Sequence, residues 1–136
     1  MDRDIKPSKV AGLGSLSTTS SSQILTSIKK VLSKGHLVLT EELNNFENNI
    51  CKYTGSKYCL GLNSGTDALM MSLWALGIGK GDEVITSPTS FVATIGAIIH
   101  VGAKPIFVDI SDDLNMDVSK IESKITKKTK AIMPVH

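Results

Sequence analysis

Apolar positions along the chain fall into two regimes. Between Gln23 and Gly55 they recur at helical spacing. Ile24, Leu25, Ile28, Val31 and Leu32 form one stripe that Gly35 can stop. Leu43, Phe46, Ile50 and Tyr53 form a second, which Thr40 can cap and Gly55 can end. Two amphipathic helices are predicted there. From Lys57 onward, short strand-like runs alternate with longer apolar segments. The pattern predicts a strand at Lys57–Leu62, a buried helix at Ala68–Leu76, and a strand at Asp82–Ser87 that Pro88 closes. A helix over Phe91–Val101, a strand at Pro105–Asp109, a helix from Asp117 to Ile125 and a last strand at Lys130–Val135 follow. Strands alternating with helices predict a largely parallel sheet covered on both faces, with ligands beyond the carboxyl ends of its strands. Residues 1–22 contain Ser17-Thr18-Thr19-Ser20-Ser21-Ser22, have no periodic apolar face, and are predicted to form an arm or loop.

The stretch Leu62-Asn63-Ser64-Gly65-Thr66-Asp67-Ala68-Leu69 joins a predicted strand to a predicted helix. Gly65 lets a ligand come close to the backbone, and the hydroxyls of Ser64 and Thr66 lie beside the free N–H groups of a helix's first turn. Such a helix start attracts phosphate. The same residues also suit a plain turn with a helix cap, because Ser, Thr and Asn are favoured there for local hydrogen bonding alone.

Composition narrows the classes of function. The 136 residues, 41% of them hydrophobic, have enough apolar material for one core. A net charge of +2 from 15 basic and 13 acidic side chains argues against a nucleic-acid or anionic-membrane surface. Met1-Asp2-Arg3-Asp4-Ile5-Lys6 is charged with no apolar run behind it, and Phe91–Ala103 is too short and interrupted to span a bilayer. A cytoplasmic protein is expected, with Cys51 and Cys59 as reduced, partly buried thiols. Asp109, Ser111, Asp113, Asn115 and Asp117 alternate like the start of a calcium loop. Leu114, however, stands where that loop needs glycine and Lys120 where it needs a bidentate glutamate, so a solvated acidic loop is expected. His36, His100 and His136 are too scattered to imply a metal site.

Four segments, read in order, carry a more specific signal. They are Asn63-Ser64-Gly65-Thr66-Asp67-Ala68-Leu69, Ala75-Leu76-Gly77-Ile78-Gly79-Lys80-Gly81-Asp82-Glu83-Val84-Ile85, Phe91-Val92-Ala93-Thr94 and Thr129-Lys130-Ala131-Ile132-Met133-Pro134-Val135-His136. Together they resemble the DegT/StrS-type nucleotide-sugar aminotransferases, enzymes that use pyridoxal 5'-phosphate (PLP) and have the aspartate-aminotransferase fold. The resemblance covers about Ile24 to His136. It implies that residues 23–136 are the amino-terminal, incomplete part of a three-layer α/β large domain with a largely parallel sheet. It also implies that Gly65 and Thr66, with Ser64 and Asp67 nearby, hold the PLP phosphate. Phe91 would stack on the cofactor ring, although from the residues alone it reads first as a core side chain at a helix start. His136 is carried over as a residue at the pocket edge.

In that family the Schiff-base lysine and the acidic partner of the pyridinium nitrogen come after the Pro-Val-His segment. No residue here is therefore assigned a catalytic role, and the expectation is an amino-terminal fragment, inactive by itself, of an aminotransferase. The resemblance implies a nucleotide-linked keto-sugar and glutamate as substrates, a homodimer when complete, and a place in amino-sugar biosynthesis for surface polysaccharide or a secondary metabolite. The alternative is a non-catalytic binding or regulatory module that keeps the phosphate turn. An ordinary dinucleotide-binding domain is disfavoured, because Asn63-Ser64-Gly65-Thr66 lacks that fingerprint's spaced glycines.

Overall fold

The computed structural model describes residues 18–135, which fall into two compact units divided after Gly61. The first holds helices α1 (Thr18–Lys34) and α2 (Glu41–Thr54). Helix α1 begins at Thr18, so Thr18 to Ser22, expected in an arm, are helical. Hydroxyl-rich residues are tolerated in such a helix when they bond back to the preceding turn, as Thr26 does to the Ser22 carbonyl at 2.9 Å and Ser27 to the Gln23 carbonyl at 3.0 Å. The rest of the expected arm, residues 1–17, lies outside the described residues. Lys34 at the end of α1 reaches Glu42 at 2.6 Å and Glu41 at 3.5 Å, tying it to the first turn of α2.

The stretch Lys57–Leu62, expected as a strand, is irregular. A strand needs a neighbour to complete its ladder. Tyr58 and Leu60 are instead 78% and 76% exposed, and a tether on this stretch comes from α2, where Glu47 Oε1 accepts the Gly61 N–H at 2.7 Å. A Cβ at Gly61 would stand 2.6 Å from Leu43 Cδ1, so a side chain at that position would require the Leu43 side chain to shift. Cys51 and Cys59 in this unit are free, half-buried thiols, and burial pushes the Cys59 thiol pKa up.

The second unit contains α3 (Gly65–Ala75), β1 (Glu83–Thr86), α4 (Val92–His100), β2 (Lys104–Phe107) and β3 (Thr129–Met133). The strands form a three-stranded parallel sheet in the order β2-β1-β3, with Ile85 level with Ile106 on one side and Ile132 on the other. Central β1 is buried at all four positions. Val84 packs in a cluster with Leu73, Ile78, Ala97, Ile98 and Ala103, on the face that α3 and α4 cover. Ile85 packs on the opposite face with Val108 and Met116, beside Ile106 and Ile121. Burying each of these aliphatic side chains is worth about 1.5–3 kcal/mol, which makes β1 the most firmly held strand.

Both helices end in the same way. After α3, Gly77 (φ 72°) donates to the Trp74 carbonyl at 2.9 Å and Ile78 to that of Leu73 at 3.0 Å. After α4, Gly102 (φ 86°) donates to Ile99 at 2.9 Å and Ala103 to Ile98 at 3.1 Å. These are Schellman motifs: a left-handed glycine reverses the chain, and the next apolar residue packs back on the residue whose carbonyl it caps. Ile78 and Ala103 thereby enter the core just ahead of β1 and β2.

The helix expected over Asp117–Ile125 is two 3-10 turns, Val118–Lys120 and Glu122–Lys124. Asp117 does cap the first, accepting the Ser119 N–H at 3.0 Å. Of the three apolar positions in this stretch, however, Val118 and Ile125 are exposed and only Ile121 meets the core. One anchored position gives too little packing to hold a full α-helix.

Edge strand β3 is fixed to β1 at both ends. The Thr126 hydroxyl donates to Glu83 Oε2 at 2.6 Å, and the fully buried Thr86 donates its hydroxyl to the Met133 carbonyl at 2.9 Å. Replacing Thr86 with Val keeps the shape but deprives that carbonyl of a donor. Stability in chemical denaturation is expected to fall by about 1–3 kcal/mol, and an unchanged unfolding midpoint would show that the bond contributes nothing.

Candidate cofactor-binding site

Helix α3 opens on a cap made by its own turn. Ser64 has an extended backbone, its Oγ accepts the Asp67 N–H at 3.1 Å, and its carbonyl accepts the Ala68 N–H at 3.1 Å. That leaves the N–H groups of Gly65 and Thr66 without an acceptor in the helix, at its positive end. The Thr66 hydroxyl makes no hydrogen bond among the described residues. Three donors thus converge at one helix start.

Gly65 separates the two readings of this turn. Its φ is not positive, so no backbone strain calls for glycine, and a Cβ placed there would meet no protein atom within 4 Å. Neither conformation nor packing among the described residues requires the missing side chain, and its absence leaves the two N–H groups open to close approach. Ser64 is engaged as a cap, and Asp67 is half-buried in the first turn.

A cavity of about 510 Å³ adjoins this helix start. Gly65, Thr66 and Leu69 line it from α3, Ser90, Phe91, Ala93 and Thr94 from the segment after β1, and Val135 from the segment after β3. The fold explains the convergence. From β1 the chain winds through α4 to β2 on one side, then crosses to β3 on the other, so the winding reverses at β1 and opens a crevice at the carboxyl ends. Of the residues singled out in the sequence, Gly65, Thr66 and Phe91 come together on this wall, whereas Ser64 and Asp67 are not part of it. His136 lies outside the described residues.

Phe91 stands at the N-cap of α4 with extended backbone (φ −62°, ψ 143°) and is 75% exposed, so it is not a core side chain. An exposed aromatic on a cavity wall offers a face to a flat ring. The pyridoxal phosphate implied by the sequence fits this wall in two respects: three unengaged donors suit its phosphate, and Phe91 suits its ring. Among the described residues, no charged side chain lines the cavity.

Ser90 and Thr94 were not singled out as a pair in the sequence. Their hydroxyls lie 2.6 Å apart. Only the i, i+4 spacing across the start of a predicted helix could have placed them together. The acidic loop is engaged internally. Asp113 accepts from Ser111 Oγ at 2.6 Å and from the backbone and side-chain nitrogens of Asn115, both at 3.0 Å, and the Ser111 hydrogen bond does most to hold its carboxyl down to about 2. Lys120 pairs with Asp117 at 3.2 Å and Asp109 at 3.6 Å.

A model of the DegT/DnrJ/EryC1/StrS aminotransferase family matches residues 18–136. The chain belongs to this family. Among its relatives, it is 40% identical over 114 residues to the dTDP-3-amino-3,4,6-trideoxy-alpha-D-glucose transaminase of Micromonospora megalomicea subsp. nigra, across 83% of this chain and 30% of that protein. It is 43% identical over 109 residues to the UDP-2-acetamido-2-deoxy-3-oxo-D-glucuronate aminotransferase of Pseudomonas aeruginosa, across 79% and 30% of the two chains. The crystal structure of NtdA from Bacillus subtilis with bound cofactor PMP superposes with a TM-score of 0.85 at 40% identity, over 88% of this chain and 28% of that one. This DegT-family chain therefore has the fold of PLP-dependent aminotransferases, and it spans about 30% of the length of the relatives it matches. No helix among its described residues is long and apolar enough to cross a membrane.

Two substitutions test the cradle in the natural-length DegT-family protein. Thr66→Ala removes a charge-assisted hydrogen bond worth about 1.5–3 kcal/mol, so PLP affinity should fall roughly ten- to a hundred-fold with thermal stability nearly unchanged. Gly65→Val should obstruct the approach of phosphate at little cost to the fold, because a Cβ at this position meets no protein atom within 4 Å. PLP binding that survives both changes would reduce the turn to a helix cap.

Proposed function

We propose that the protein is a PLP-dependent aminotransferase acting on a nucleotide-linked keto-sugar, with glutamate as amino donor, and that this chain supplies the phosphate cradle and one wall of its cofactor pocket. The observation that carries the proposal is the cavity lined both by Gly65 and Thr66, with their unengaged donors, and by the exposed Phe91, beyond the sheet's carboxyl ends. Family membership and the sugar-nucleotide aminotransferases among the relatives support the reaction class. Amino-sugar biosynthesis in the cytoplasm, for a surface polysaccharide or a secondary metabolite, agrees with both.

When bound, PLP supplies an electron sink for moving an amino group between donor and acceptor. The residues of this chain hold and orient it. The N–H groups of Gly65 and Thr66 and the Thr66 hydroxyl would hold the phosphate dianion, whose charge the positive end of α3 would favour. Phe91 would offer its ring for stacking. Leu69, which packs on the core as well as lining the cavity, joins the cradle to the rigid layer beneath. No lysine is among the described residues that line this cavity, so none of them would supply the covalent anchor.

The natural-length protein, loaded with PLP, should show a shift of the cofactor's near-ultraviolet absorption on adding glutamate, reversed by a dTDP- or UDP-linked keto-hexose. Binding of PLP without any spectral response to amino donors would favour the second reading, a binding module that has kept the phosphate turn.

We further propose a homodimer in which the first two helices contribute to the interface. Phe46 on α2 is 55% exposed and is the kind of large apolar side chain a partner would cover. Phe46→Asp should weaken dimerisation and transfer activity together, measured by sedimentation and turnover. A variant that remains dimeric and active would remove α2 from the interface.

A further inference from the structure

The Ser90–Thr94 pair lies on the wall of the proposed cofactor cavity. Its two hydroxyl oxygens are 2.6 Å apart, and either could be the donor. Burial decides between the two arrangements. Thr94 is only 5% exposed, and its hydroxyl has no partner other than Ser90 among the described residues. Were Ser90 the donor, the Thr94 proton would sit buried with no acceptor, an arrangement proteins avoid. Were Thr94 the donor, its proton would be satisfied and that of Ser90 left over. Ser90 is only half-buried, so its proton can reach the cavity.

The pair thus holds two protons and one mutual bond, and the spare proton falls to Ser90, the more exposed of two residues that both line the cavity. Accepting from Thr94 fixes the rotation of the Ser90 side chain and makes its remaining O–H a better donor, because chained hydrogen bonds polarise one another. Ser90 also immediately precedes Phe91, so the donor sits one residue from the exposed ring.

We propose that Ser90 is a cofactor-contacting residue that donates its hydroxyl proton to an acceptor oxygen of bound PLP, with Thr94 as the positioning residue that aims it. The proposal rests on the PLP reading of the cavity and adds a contact outside the Gly65–Thr66 cradle. The acceptor is either a phosphate oxygen or an oxygen on the ring, and binding of pyridoxal, which lacks the phosphate, distinguishes them.

The experiment measures PLP and pyridoxal dissociation constants and thermal melting for the natural-length protein and for Ser90→Ala, Thr94→Val and Thr94→Ser. One neutral hydrogen bond predicts a loss of PLP affinity of roughly three- to ten-fold in Ser90→Ala. A comparable loss is expected in Thr94→Val, with recovery in Thr94→Ser, which restores the hydroxyl. A matching loss for pyridoxal places the acceptor on the ring, and a loss confined to PLP places it on the phosphate. Unchanged affinity for both ligands in Ser90→Ala overturns the contact. Weakening in Ser90→Ala without weakening in Thr94→Val overturns the positioning role of Thr94. Should Thr94→Val lose its cooperative melt, the Ser90→Ala and Thr94→Ser arms still decide. Failure of this inference is separable from failure of the cofactor reading: if Thr66→Ala and Gly65→Val weaken PLP while Ser90→Ala does not, only the inference falls.

Discussion

The burial of β1 on both faces is the constraint from which the site follows. Val84 and Ile85 are adjacent in sequence and point to opposite sides of the sheet, yet both are fully buried. The strand therefore needs a layer above and a layer below, and it needs hydrogen-bonded neighbours on either side. Helices α3 and α4 supply the upper layer. Met116 and Ile121, in the irregular segment after β2, help supply the lower. A strand held from four directions has a fixed end, and the segment from Ser90 to Thr94 that leaves this end lines the cavity.

The two Schellman motifs extend the same rigidity to the helices. Each ends on a glycine whose successor returns at once to the core, which leaves little freedom in where the next strand begins. The start of α3 is positioned just as closely by local chemistry, because the Ser64 side chain and carbonyl each take one of its early N–H groups. The Gly65 and Thr66 N–H groups are left over by this division of partners.

Much of this was legible in the residues. The apolar run after Asp67, the strand-like Asp82–Ser87 before Pro88 and the longer apolar segment Phe91–Val101 announced α3, β1 and α4, because each carried its own pattern. Lys57–Leu62 misled because its composition suits a strand, but composition cannot supply the neighbour a strand requires. Asp117–Ile125 misled in the opposite way: its apolar spacing is helical, yet only Ile121 found something to pack against. The resemblance named Gly65, Thr66 and Phe91, which the fold brings to one cavity wall, and so joined segments that physical reasoning on one chain would have kept apart. The hydroxyl pair of Ser90 and Thr94 was not legible. Serine and threonine four residues apart are common, and what distinguishes this pair is the burial of one member, which only the fold supplies.

The makeup of the cavity wall has a consequence for how binding responds to acidity. Gly65, Thr66, Leu69, Ser90, Phe91, Ala93, Thr94 and Val135 include no side chain that gains or loses a proton near neutrality. Their hydrogen-bonding capacity is the same at every pH the folded chain survives. A phosphate monoester, by contrast, takes up its second charge with a pKa of about 6, and the positive end of α3 attracts the dianion more strongly than the monoanion. For a phosphate monoester held at this wall, proton linkage would therefore reside in the guest, and these eight residues would act as a fixed template that selects among the guest's ionisation states.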